Sequence, residues 1–246
     1  MIERQFRVGE SPRVKVAIRS GQVTVETGEP GVVNFTVDSK DPTFVIRDQG
    51  EVIIASGERG SRAQVSVQVP PMSNIDVSTA SGDVEVNTAV DRLEVSSASG
   101  DVRFDSAGRL QVKTASGSIG GRRVDREAHC FTASGDVRLS HIVDQAWIST
   151  AAGNVAIGRC EGSITCATVS GNVRIDELTG SPVNIKSMSG LVRFAVPPRT
   201  RLELDANTLS GRIQLPAPGQ GTEPPEREIH ATVRLVSGDL RIDRTG

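Results

Sequence analysis

Tyrosine is missing altogether from this 246-residue chain, and six Phe and one Trp bring the aromatics to only 3%. Single-stranded nucleic acid is held by stacking on exposed rings, so a chain this poor in them is not expected to bind it. Charge of one sign is lacking too: 28 Lys and Arg against 30 Asp and Glu leave a net charge of −2. Such a balance draws in neither nucleic acid nor an acidic membrane. No stretch approaches the roughly 18 apolar residues of a membrane span. The opening MIERQFRVGE holds no apolar run of the roughly 7–15 residues that an export signal requires. A cytoplasmic protein is therefore expected, with envelope association as the alternative.

Cysteine is sparse, three residues in all. Cys130 and Cys166 hold equivalent places two repeats apart, about 9.6 Å at a strand spacing of about 4.8 Å. A disulfide needs Cα atoms within about 7 Å, so the two are expected as separate buried thiols. Cys160 falls in a turn, GRCEG. Unpaired thiols fit a reducing compartment. Catalytic signatures are also absent: there is no HExxH, GxSxG or Walker loop, and His129, His141 and His230 are scattered. No catalytic residue, cofactor or metal is expected.

What the chain does have is glycine at a fixed period. Nine segments repeat one pattern: TASGDVEV (79–86), SASGDVRF (97–104), TASGSIGG (114–121), TASGDVRL (132–139), TAAGNVAI (150–157), TVSGNVRI (168–175), SMSGLVRF (187–194), TLSGRIQL (208–215) and LVSGDLRI (235–242). The first six steps between their glycines are 18, 17, 18, 18, 18 and 19 residues. A short fixed period means layers that bury their apolar faces only against one another. With each glycine as position 0, aliphatics recur at −7, −5, +2 and +4, as in Ile164, Cys166, Val173 and Ile175. Alternation of this kind is the mark of half-buried strands. Each layer thus reads as strand, Ser-Gly bend, strand, turn. Thr or Ser at −3 shares the inward parity, which predicts an internal ladder of hydroxyls, each bonding its neighbour or the backbone at the bend. Because parallel crossovers are right-handed by default, the expected fold is all-β, a right-handed parallel β-solenoid. Nine layers predict about 43 Å of regular length.

Residues 1–72 lack the period but still read as strands, such as RVKVAI (13–18) and VVNFTV (32–37), broken by turns such as Gln49-Gly50. They are expected as an irregular N-terminal β cap on a solenoid spanning 73–246. PAPGQGTEPPE (216–226) reads as a surface loop, with one more layer after it. No polar cap follows that layer, so its edge is expected to be covered by a second subunit, by that loop or by another segment.

The layers, entered through VQVPPMSNIDVSTASGDV (67–84) and echoed at FAVPPRTRLELDANTLSGRI (194–213), resemble the bacterial "putative adhesin" family of β-strand-repeat proteins over roughly residues 10–246. The resemblance implies a repeating β architecture and, by the name, a role at a surface. It carries over no functional residue.

Three columns hold candidate chemistry. Asp or Asn at +1 (Asp83, Asp101, Asp136, Asn154, Asn172, Asp239) suits the bend, and calcium's six to eight oxygens are not supplied by so diluted a row. At +3 stand Arg138, Arg174 and Arg193, expected to pair with the aspartates and, alternatively, to form an anion strip. At −2, alanines give way to Val169, Met188 and Leu209, and Leu191 replaces the polar +1 residue of its layer. These four predict an apolar strip of the kind that marks an interface. The expected function is a non-enzymatic scaffold or protein-interaction module, self-associating through its C-terminal end. An adhesin-like binder of glycan or protein is the alternative, and a polysaccharide-acting enzyme ranks behind both.

Overall fold

The structure, a computed structural model, describes residues 1–41, 44–50, 52–57, 62–216 and 224–245. Among these residues there are strands and no helix. The chain divides into two compact units, Met1–Arg122 and Arg123–Gly246.

The first unit holds β1 (Ile2–Arg7), β2 (Arg13–Thr27), β3 (Val32–Ser39), β4 (Val45–Asp48), β5 (Val52–Ser56), β6 (Arg62–Val69), β7 (Asn74–Ser97), β8 (Val102–Thr114) and the start of β9 (Ile119–Ser134). β7 and β8 stack in parallel, Val84 on Val102 and Leu93 on Leu110. β2 lies on the opposite flank of β7, also parallel, with Gly21 on Gly82 and Val23 on Val84. Residues 18–25, IRSGQVTV, therefore form a further Ser-Gly layer ahead of the regular run. Around it the pairing turns antiparallel, β1 with β3, β3 with β6 and β4 with β5. The β4–β5 hairpin has Gln49-Gly50 in its turn, where Gly50 takes φ 82° and its N–H is accepted by Asp48 Oδ1 at 2.9 Å.

The second unit continues β9 and adds β10 (Val137–Ile142), β11 (Gln145–Ala152), β12 (Val155–Cys160), β13 (Ile164–Ser170), β14 (Val173–Leu178), β15 (Val183–Ser189), β16 (Val192–Val196), β17 (Thr200–Ser210), β18 (Ile213–Gln214), β19 (Arg227–Ser237) and β20 (Leu240–Arg244). Equivalent strands stack in parallel with like residues superposed: Cys130 on Ile148 on Cys166 on Ile185, and Val137 on Val155 on Val173 on Val192. The chain is a parallel β-solenoid, and its aliphatic columns at −7, −5, +2 and +4 are its core. From Ala146 to Phe194 those columns are sealed from solvent.

The −3 hydroxyls reach the backbone at the bend, one of the two partners expected of them: Thr150 and Thr208 donate to carbonyls there, Gly135 O at 3.4 Å and Gly238 O at 3.3 Å. The Thr79, Thr114 and Thr168 hydroxyls find no partner. The order of the last layers is not the order of the sequence. β19 pairs with β15 on one side and with β17 on the other, and β20 likewise lies between β16 and β18. The last layer in sequence is thus threaded under its predecessor, and β17/β18 forms the end of the stack. Of the 216–226 excursion, residues 217–223 lie outside the described residues.

Candidate functional site

The bend itself is built from side chains that reach one layer up. Asp136 Oδ1 accepts the Asn154 N–H at 2.8 Å, Asn154 Oδ1 the Asn172 N–H at 3.1 Å, and Asn172 Oδ1 the Leu191 N–H at 2.8 Å. Asp83 and Asp101 do the same for Asp101 and Ser118, at 2.9 and 3.0 Å. The +1 column is therefore turn chemistry. The ladder stops at Leu191 and resumes one layer on, where Asp239 Oδ1 accepts the Arg212 N–H at 2.8 Å.

On the outer face of the second unit, register places Val169, Met188, Val236 and Leu209 in consecutive layers. They are 48%, 54%, 45% and 80% exposed. All four stand at −2 in the sequence, which assigned three of them to the strip; Val236 joins it between Met188 and Leu209 because its layer is threaded between theirs. Leu191, 39% exposed, follows Met188 around the bend. A groove of about 290 Å³ runs along the strip, lined by Ala167, Val169, Met188 and Val236 with Lys186 and Arg234 at its margin.

Arg138, Arg174 and Arg193 align on the other strand of the layer, with Ala156 between the first two and Arg241 beyond the third. Each guanidinium is already engaged. Arg138 bonds Asp136, Arg174 bonds Asp176 at 2.5 Å, and Arg193 and Arg241 share Asp243 at 2.8 and 3.0 Å. The Asn154 backbone N–H, aided by Arg138, holds the Asp136 carboxyl below its usual range against the opposing effect of burial. Burial pushes Asp243 up, but hydrogen bonds from Arg241 and Arg193 outweigh it and leave that carboxyl lowered. These arginines neutralise neighbouring aspartates and offer no free strip to an anion.

The three thiols are buried, and burial pushes Cys130 and Cys166 up to about 12 and Cys160 to about 11. A Glu203, Glu228 and His230 cluster brings its ligating atoms within 4.8 Å of one another at the surface. Arg201 compensates both carboxylates, at 3.7 and 3.6 Å, and Glu203 bonds His230 at 2.9 Å. Sequence reasoning overlooked a third feature. The exposed rings of Phe131 and Trp147 share the outer face, and His129 stacks on Trp147. Their outward parity was readable, but their adjacency required the register.

Comparison with curated proteins finds no match. Among solved structures, a "putative adhesin" from Bacteroides fragilis NCTC 9343 is 12% identical with a TM-score of 0.51, over 98% of this chain and 96% of that one. A "putative lipid binding protein" from Parabacteroides distasonis ATCC 8503 is 13% identical with a TM-score of 0.46, over 100% and 96%. A "putative adhesin" from Parabacteroides merdae ATCC 43184 is 12% identical with a TM-score of 0.39, over 100% and 96%. At such identities the first of these likenesses is one of fold. The family description Toastrack DUF4097 matches residues 33–245, and the chain belongs to that family.

Proposed function

We propose that the protein is a non-enzymatic interaction module that self-associates end to end through its β17/β18 layer. One observation carries this reading: among the described residues, nothing covers the aliphatic columns of the core at that layer. Ile213 and Leu215 are 41% and 60% exposed, whereas Leu240 and Ile242, directly beneath in the same columns, are 1% exposed. Leu202, Leu204 and Ala206 of β17 are half-buried, while Ile229, Ala231 and Val233 beside them are buried. An open edge of this kind recruits another strand. Both strands of the layer are bare together, so a single peptide strand would leave one uncovered. A second copy of the same end presents two strands at the same separation.

Light scattering over a wide concentration range tests the reading. The wild-type mass is expected to rise above the monomer's with concentration. Ile213→Lys with Leu215→Lys, both at exposed positions, is expected to hold it at the monomer. A strict monomer throughout refutes self-association.

A further inference from the structure

The chain keeps most of its few rings inside: Phe35, Phe44, Phe104 and Phe194 are buried. Phe131 and the single tryptophan, Trp147, are instead 52% and 39% exposed. They occupy outward positions on β9 and β11, where Ser149 lies beside Phe131 and His129 beside Trp147. Large rings left in water on a strand face contribute nothing to the core, and clustered ones mark a binding surface. His129 covers one face of Trp147, with centroids 4.6 Å apart and planes at 22°, and is itself held by Glu127 at 2.8 Å. The indole is thereby propped on edge with its second face turned along the stack.

Beyond that second face the column continues with Thr165, Asn184 and Thr232, a hydroxyl, an amide and a hydroxyl in successive layers. The adjoining column passes through Ala167 to Lys186, where the groove lies. Arg234 at the groove's margin is neutralised by Asp205 at 2.9 Å. Lys186 has no ion pair among the described residues, so its charge is available to a ligand.

We propose that this face binds an acidic polysaccharide laid across the strands. One pyranose packs its C–H face on the open side of Trp147. Hydroxyls of the following sugars bond Thr165 and Asn184. A carboxylate meets Lys186, two layers on, about 9.6 Å away. The single file of ring, hydroxyl and amide suits a ligand that is apolar on its ring faces and polar at every rim. The site is independent of the end-to-end association.

Because Trp147 is the only tryptophan, its emission reports the site directly. The full chain is titrated with tetragalacturonate, with a hyaluronan hexasaccharide and with cellotetraose as the uncharged control. Saturable changes are expected with the acidic ligands, at affinities about tenfold above cellotetraose. Lys186→Gln is expected to bring the acidic ligands down to the level of the control. Trp147→Ala, followed by calorimetry, is expected to weaken them about tenfold. Both variants change exposed side chains, and thermal melts confirm their folding. No response to either acidic ligand overturns the proposal, as does binding that both variants retain undiminished.

Discussion

Replacing Gly171 with alanine tests the stacking of the bends directly. A Cβ built at Gly171 would sit 2.0 Å from the Gly153 carbonyl oxygen and 2.7 Å from its carbon. Its φ of 155° also lies where residues with a side chain are strained. The obstruction is backbone, so no side chain can rotate away. The two bends must separate by roughly 1 Å, at the expense of the bonds that join the layers there: Gly153 N–H to Ser170 O at 3.1 Å, Val155 N–H to Asn172 O at 2.8 Å and Asn172 N–H to Asn154 Oδ1 at 3.1 Å. Overpacking of this kind costs about 1–3 kcal/mol, and the unfavourable φ about 1–2 kcal/mol more. Alanine's smaller unfolded-state entropy offsets about 0.4–1 kcal/mol. The net loss is about 1–5 kcal/mol, which for a chain of this length lowers the melting temperature by roughly 2–18 °C. Calorimetry of Gly171→Ala beside Gly9→Ala supplies the comparison, because nothing lies within 4 Å of a Cβ at Gly9. Gly153→Ala, which meets Gly135 O at 2.0 Å without a φ in that range, separates the clash from the backbone strain. Equal melting temperatures for Gly171→Ala and Gly9→Ala would refute close-packed bends.

Acid should weaken the fold through a small set of carboxylates. Asp105, held down by its hydrogen bond from Arg122, and Asp136, held down by the Asn154 N–H, have folded-state values below the unfolded one. Their contribution is therefore complete above an unfolded pKa of about 3.9 and is lost as pH falls through the lower folded values. Urea midpoints are expected to be flat from these groups between about pH 5 and 8 and to decline below about pH 4; Asp136→Asn, which keeps the acceptor for Asn154, should flatten part of that decline. Thiol chemistry offers a second check. With Cys130 and Cys166 raised to about 12 and Cys160 to about 11, a thiol reagent at pH 8 is expected to label none of the three in native protein and all of them in denaturant. Rapid native labelling of any one would show that its layer opens.

The columns were legible because each depends on parity within one repeat. Val84, Cys166, Ile185 and Phe194 could be placed inside, and Asn154 and Asn172 at the bend, without knowing which layer touches which. Of the arginine pairs, Arg138 with Asp136 was legible as +3 on +1, whereas Arg174 and Arg241 take Asp176 and Asp243 on the other side, at +5. The order of the layers was not legible, and the physical reason is the repeat itself. When every layer presents the same aliphatic columns, any layer can stack on any other, and pattern alone does not distinguish β19 on β15 from β17 on β15. Loop length decides, and 216–226 is the longest break in the regular run. The layer at 13–27 was concealed in the opposite way. Its IRSGQVTV carries the motif, but the strands of 32–69 intervene before its neighbour at 74–97, so no fixed step connects them.

That degeneracy bears on function as well as on topology. Inward columns are interchangeable between layers, so selection for stacking leaves the outward columns free to differ, and any specificity must reside there. The outward residues do differ from layer to layer: alanines at −2 up to Ala151 and aliphatics after it, rings on β9 and β11, an unpaired lysine on β15. A uniform scaffold requires none of these changes. The threaded last layer places Val236 between Met188 and Leu209, inside the apolar strip rather than at its end. Stacked in sequence order, the same layers would put Leu209 beside Met188 and Val236 at the open edge. Reordering the layers therefore changes which outward residues meet while leaving every core column intact.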